Sequence, residues 1–254
     1  MSRAWYPFLS RASRSDTGIN QVWNLTTRLV AKENTEDSPY LIPNEWICGN
    51  LATFLRLPVP PCALMRRNTR SKGMFASLDF SPGDTPPPDL QPDICAQRLP
   101  RLSTGVLLFD ILIANSDRHS GNLRVDRASA PTELRIFDHD RALFGSFARN
   151  GEQRLNQLRQ RLGVSGGTMT GGNRHCLLDH ITTESHLDHW IGRIGEIPES
   201  FIRDVCNEVV GLGITQPLAD RAVEFLNYRR LHLAEIIHDN RDEFRSIRDW
   251  RLFT

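Results

Sequence analysis

The chain has 254 residues, 39% hydrophobic and 24% charged, with a formal net charge of +1 and a pI near 7.7. That composition fits a globular protein with a sizeable core, long enough for one large domain or two lobes, and its near-neutral balance excludes a global field for nucleic acid or an anionic membrane. Five widely spaced cysteines without a CxxC pair read as free thiols in a reducing compartment. With no continuous apolar signal core near the N-terminus and no run approaching a membrane span, the expectation is a cytoplasmic protein.

In chain order, Ser10 to Gly18 is rich in Ser and Arg and precedes a strand-like stretch beginning near Val22. A loop of small residues there could fold over a phosphate through its N–H groups, with Arg14 adding charge and Gly18 flexibility. A disordered tail ending in a turn is the competing reading. Val22 to Lys32 is β-branched and apolar, and predicts one long strand or a tight hairpin with Arg28, Val30 and Lys32 on one face. Pro43-Asn44-Glu45 then opens an amphipathic helix with Ile47, Leu51, Phe54 and Leu55 on its stripe, Asn44 as N-cap and Glu45 in the first turn. Leu57-Pro58-Val59-Pro60-Pro61 ends it.

Cys62–Met65 and Met74–Phe80 predict two further strands joined by a basic turn, Arg66 to Lys72, read as a solvated hairpin tip. Ser81 to Pro100 carries six prolines. It is expected to hold no regular element and to join two lobes, 1–80 and 101–254. Leu102 to Ala114, apolar nearly all round, predicts a buried helix.

The stretch that organises the rest is Phe109 to Gly145. Leu123-Arg124-Val125 and Leu134-Arg135-Ile136-Phe137 predict a hairpin, with turn composition from Asp126 to Pro131. A hairpin returns the chain to its start, so Asn122 and Asp138 should lie side by side, with Asp117 one short loop away. Three such oxygen-bearing side chains suit a hard cation such as Mg²⁺; the alternative is ordinary loop polars. Farther on, Glu152 to Leu162 predicts a helix and Gly163 to Gly172 a mobile loop. His175, His180, His186 and His189 fit no standard zinc spacing, and His186-x-x-His189 is set aside in favour of a helical surface. Glu199 to Val210 and Gln216 to Phe244 predict two amphipathic packing helices.

A strand lysine, an early helix glutamate, a proline-rich joint, an Asp with an Asn five residues on, and a second Asp beyond a hairpin resemble the order of the protein-kinase-like fold. Asn115-x-Asp117-Arg118-His119-x-x-Asn122 is similar to the Asp-Arg-His-x-x-Asn loop of phosphatidylinositol 3- and 4-kinases and of HipA-like kinases. Asn44-Glu45 followed by Leu57-Pro58-Val59-Pro60, and Ile136-Phe137-Asp138-His139, resemble the HipA-like pattern.

The resemblance implies an α+β, two-lobed fold with a small antiparallel N-lobe sheet, one helix there, and a mainly helical C-lobe. It implies ATP and Mg²⁺ as cofactors. Lys32 would hold the phosphates and Glu45 orient it; Asp117 would receive the acceptor proton, Asn122 and Asp138 would ligate the metal, and His119 would brace the loop by bonding Asp138. It further implies a toxin-like Ser/Thr kinase acting on a protein substrate, with an antitoxin-type regulator among its partners. The alternatives are a pseudokinase-like binding module and a phosphatidylinositol-type lipid kinase. Asp140 is assigned a structural role, because the resemblance puts the ligand directly before His139.

Overall fold

The strand-forming residues at the start of the chain sort into two sheets. A computed structural model of the protein describes residues 10–15, 22–66, 73–81, 85–147, 150–167, 172–248 and 250. Strands β1 (Ser10–Ser15) and β2 (Val22–Thr26) pair antiparallel as a ribbon, with Arg14 opposite Trp23. Next come β3 (Leu29–Lys32), helix α1 (Leu41–Phe54), β4 (Cys62–Arg66) and β5 (Gly73–Leu78). The three strands form a second antiparallel sheet in the order β3-β5-β4, with α1 packed against it.

Val22 to Lys32 is therefore neither one strand nor one hairpin. Its halves belong to different sheets, and Arg28 at the break shows why. The Arg28 guanidinium pairs with Asp79 at 2.8 Å while its carbonyl accepts the Asp79 N–H, which turns the chain onto β5. Ser10–Ser15 is likewise a strand; the rest of the expected phosphate loop, with Gly18, and the basic tip 67–72 lie outside the described residues.

The proline-rich joint does hold a regular element, α2 (Pro92–Arg98). Pro92 sits in its first turn, where the missing N–H has no intrahelical partner to lose. Helix α3 (Pro100–Leu112) follows, buried from Ser103 to Leu112, and is the axis of the helical part. Trp190 lies so close to α3 that a Cβ at Gly105 would fall 2.2 Å from its ring. The hairpin β6 (Leu123–Val125) and β7 (Leu134–Ile136) places Leu123 opposite Ile136. Asp126 closes its turn by accepting from the N–H groups of Thr132 and Glu133.

Beyond α4 (Gly151–Leu158), the expected glycine loop is a short hairpin, β8 (Ser165–Gly167) with β9 (Gly172–Arg174). Gly166 in this hairpin has φ +77°, open to glycine at little cost. Helices α5 (Leu187–Gly195), α6 (Glu199–Asn207), α7 (Gln216–Leu231) and α8 (Leu233–Asp239) complete the described fold. The last predicted helix is thus two. It breaks at His232, whose ring stacks on Tyr228 and bonds the Tyr228 carbonyl at 2.9 Å.

One α7 side chain locks several helix ends together. Arg229, fully buried, donates to the carbonyls of Ile111, Leu112, Leu158 and Leu162. It has no carboxylate partner among the described residues, so burial pulls its pKa down to about 9. The orphan carbonyls at the ends of α3 and α4 supply the negative potential instead.

Candidate active site

Lys32 ends β3 opposite Phe75, which aims its ammonium across α1 toward the β6–β7 hairpin. It pairs with Glu45 Oε1 and, at 2.6 Å, with Asp138 Oδ1. Burial works against the Lys32 charge, yet the Glu45 and Asp138 carboxylates outweigh it and raise its pKa. Glu45, unlike the partly buried Lys32, is fully buried. There the cost of burial is exceeded by His139 and Lys32, which hold the carboxyl down to about 2.

Glu45 stands in the second turn, not the first, because α1 begins at Leu41. Asn44 is consequently not an N-cap. Its buried amide points out of the helix, donating to the carbonyls of Asp140 (2.6 Å) and Gly145 (3.1 Å) and accepting from the Phe144 N–H (3.2 Å). Glu45 Oε2 accepts the His139 N–H at 3.2 Å. Adjacent α1 residues thus hold the segment that follows Asp138.

Below, the loop after α3 is set by a buried cluster. Arg118, fully enclosed, bonds both oxygens of Asp110 (2.8 and 3.1 Å) and also donates to the carbonyls of Asn122 and Phe137. Asn122 immediately precedes β6 and Phe137 immediately follows β7, so one guanidinium clamps together the two hairpin ends. Asp110 also accepts from Asn115 (3.0 Å) and from His175 (2.9 Å). Burial disfavours its charge, but Arg118 and His175 hold it far below the ordinary carboxylate range. Burial lowers the pKa of His175, which Asp110 only partly offsets; its other nitrogen accepts the Leu177 N–H, the arrangement of a neutral imidazole.

Asp117 projects from this loop with its side chain 16% exposed. One oxygen accepts from the Asn173 amide of β9 at 3.2 Å, and the other lies 3.5 Å from Arg141 Nε. The Asn122 amide donates to the Asp117 carbonyl at 3.0 Å, which leaves its side-chain oxygen as the free acceptor. Asp138 has φ +63°, a left-handed conformation that Asp tolerates better than most residues and that orients its carboxylate to Lys32. Asp140 differs from Asp138. Burial, with Asp138 nearby, pushes its pKa up to about 6.

The fold brings Lys32, Glu45 and Asp138 into contact, and joins Asp117 to Asn122 one loop away. His119 is different: it is exposed, and its ring accepts the Gly121 N–H at 3.1 Å in place of Asp138. Arg118, one residue earlier, is the group that braces the loop. Arg14 lies on β1, with its side chain among those not described. Among the described residues no group of three His, Cys, Asp or Glu side chains forms a metal site; His189 accepts from Arg101 at 2.7 Å.

Lys32, Glu45, Asp138 and His139 line one end of a cleft of about 290 Å³ between the three-stranded sheet and the hairpin. Its other walls are mostly apolar, including Val30, Val59, Phe75 and Phe137, with Asp79 and Arg124 among the polar exceptions. Sequence reasoning missed Asn44's true role, Asp110, Arg118, His175 and Asn173. Only the first four had a signal, as polar residues inside apolar or motif-bearing runs.

A small antiparallel sheet with its lysine tied to a helix glutamate, set over a helical body with a polar hairpin at the junction, is the architecture of the protein-kinase-like fold. No family model matches the chain, and no curated protein matches it. Among solved structures it is similar to the Helicobacter pylori proinflammatory kinase CtkA, at 15% identity and a TM-score of 0.54 over 85% of this chain and 91% of that one. It is also similar to HipA of Shewanella oneidensis MR-1, solved with HipB and its operator DNA, at 15% identity and a TM-score of 0.44 over 96% of this chain and 68% of that one. The CtkA likeness supports the kinase-like fold.

Proposed function

We propose that the protein is an ATP-dependent kinase that transfers the γ-phosphoryl group to a Ser or Thr hydroxyl of a protein. The observation that carries this is Lys32 bridging Glu45 and Asp138 in the polar end of the cleft. The donor set fits the groups it would receive. Asn122 and Asp138 offer hard oxygens suited to Mg²⁺, whose remaining positions phosphates and water would fill. His139 Nε2, buried and without a hydrogen-bond partner in the cleft wall, supports a polar ligand there.

Bound Mg·ATP would supply the phosphoryl group and screen its charge. The chain's own residues do the rest. Lys32, steered by Glu45, binds phosphate oxygens, and the apolar walls take the base. Asn122 and Asp138 hold the metal. Asp117 orients the acceptor hydroxyl and receives its proton, a role worth roughly 10²–10⁴ in rate. A groove of about 550 Å³ is lined by Ser116 and by Arg141, the ion-pair partner of Asp117, and suits a polypeptide acceptor.

The test is incubation with Mg²⁺ and γ-labelled ATP, alone and with lysate, beside Asp117→Ala and Asp138→Asn. Label transfer to protein in the wild type and its loss in both variants is the expected result. Transfer that persists in both would overturn the site; label appearing only in lipid would move the assignment to a lipid kinase.

A further inference from the structure

We propose that Arg141 is a catalytic residue of this transfer, taking up negative charge on the γ-phosphoryl group as it passes to the acceptor; the proposal rests on the kinase reading above. The transfer needs a cation on the acceptor side, where charge spreads over the equatorial phosphoryl oxygens. The loop from Asp117 to Asn122 does not provide one. Arg118 is enclosed and spent on Asp110 and two carbonyls. Arg124 is tied to Asp89 (2.5 Å) and to the Gly121 carbonyl. Lys32 lies on the nucleotide side with Glu45 and Asp138.

Arg141 is placed differently. Its backbone is fixed: the Asp140 carbonyl accepts from Asn44, the Arg141 carbonyl from Arg154 (3.3 Å), and the Ala142 N–H donates to the His139 carbonyl (3.0 Å). Its side chain is 50% exposed, and among the described residues its one ion-pair partner is Asp117, at 3.5 Å through Nε. One long contact leaves the remaining guanidinium N–H groups for substrate oxygens, in the fork geometry that suits phosphate.

The chemistry gives that contact a function. The acceptor oxygen bonds to the γ-phosphorus as the bond to the β–γ bridging oxygen breaks, and the electron pair of that bond leaves with ADP. The acceptor proton moves to Asp117. A protonated Asp117 no longer holds Arg141, so the guanidinium is released toward the phosphoryl oxygens as their charge develops. If the pair were instead a lock on the base, removing Arg141 would raise activity.

Wild type, Arg141→Ala and Arg141→Lys should be titrated with Mg·ADP in a calorimeter, with and without fluoroaluminate as a stand-in for the transferring phosphoryl group. Phosphate release from Mg·ATP is followed in parallel. Expected are equal Mg·ADP affinities, fluoroaluminate tightening of the wild type that falls at least tenfold in Arg141→Ala and is partly kept in Arg141→Lys, and a kcat roughly 10³-fold lower in Arg141→Ala with little change in KM. Equal tightening in wild type and Arg141→Ala, no tightening in the wild type, or a raised kcat overturns the proposal. A wild type that binds no Mg·ADP overturns the kinase reading itself.

Discussion

Asp138 holds an unfavourable backbone angle at the point where the hairpin meets the Lys32–Glu45 pair. Non-glycine residues in that region cost of order 1–3 kcal/mol, which the clamped surroundings offset. Asparagine tolerates the same conformation, so Asp138→Asn separates charge from shape. It should keep the melting temperature within a few degrees while Mg²⁺-dependent nucleotide binding, read by calorimetry, falls at least tenfold. Asp117→Asn should instead lower kcat about 10²–10⁴-fold and leave KM for ATP nearly unchanged. At this scale the order of the charged groups was legible, because each stands in a motif at a strand end or helix start. His119 was misread: a histidine beside a catalytic aspartate invites a bridging role, but the buried brace is Arg118, which reaches the Asp110 carboxylate and the carbonyls of Asn122 and Phe137 at once.

Among elements, α1 does more than carry Glu45. Asn44 and Glu45 together supply the bonds that fix Asp140, Phe144, Gly145 and His139, so the helix and the segment behind Asp138 move as one body. Asn44→Ala would strand three backbone groups, each costing about 1–3 kcal/mol if left without a partner. A melting temperature lowered by several degrees, together with a weaker Mg·ATP affinity, is the expected pair of results; a loss of stability with unchanged affinity would mean that α1 does not position the site. Sequence periodicity placed this helix but misjudged its start by a turn, since an Asn before an apolar run has the signature of an N-cap whether its amide faces its own helix or another segment. Where α3 meets α5, Gly105→Ala sets two effects against each other. Alanine gains about 1 kcal/mol of helix propensity, but its Cβ would sit 2.2 Å from Trp190 ring atoms, and overpacking of a fixed aromatic costs typically 1–3 kcal/mol. Net destabilisation in urea unfolding is expected.

Across the whole molecule, two buried carboxylates join parts distant in sequence: Glu45 ties the sheet and α1 to the hairpin, and Asp110 ties α3 to the catalytic loop and to His175. These long-range links were not legible in the sequence, because Asp110 lies in an apolar helix and its partners stand 8 and 65 residues away. Their pH consequence follows from the direction of the shifts. Both carboxyls have folded pKa values below their unfolded ones, so the unfolded chain binds more protons in that window and stability falls with pH. For Glu45 the contribution is complete above its ordinary value of 4.5 and is lost progressively toward about 2. Asp110 adds a loss in the same direction, extending to lower pH. Chemical unfolding between pH 6 and pH 2.5 should therefore show stability falling steeply below about pH 4.5. Glu45→Gln should be less stable at pH 6, where it forfeits the Lys32 pair, and should lose less on acidification; a variant whose pH profile runs parallel to the wild type would show that Glu45 does not link the sheet to the hairpin through its charge.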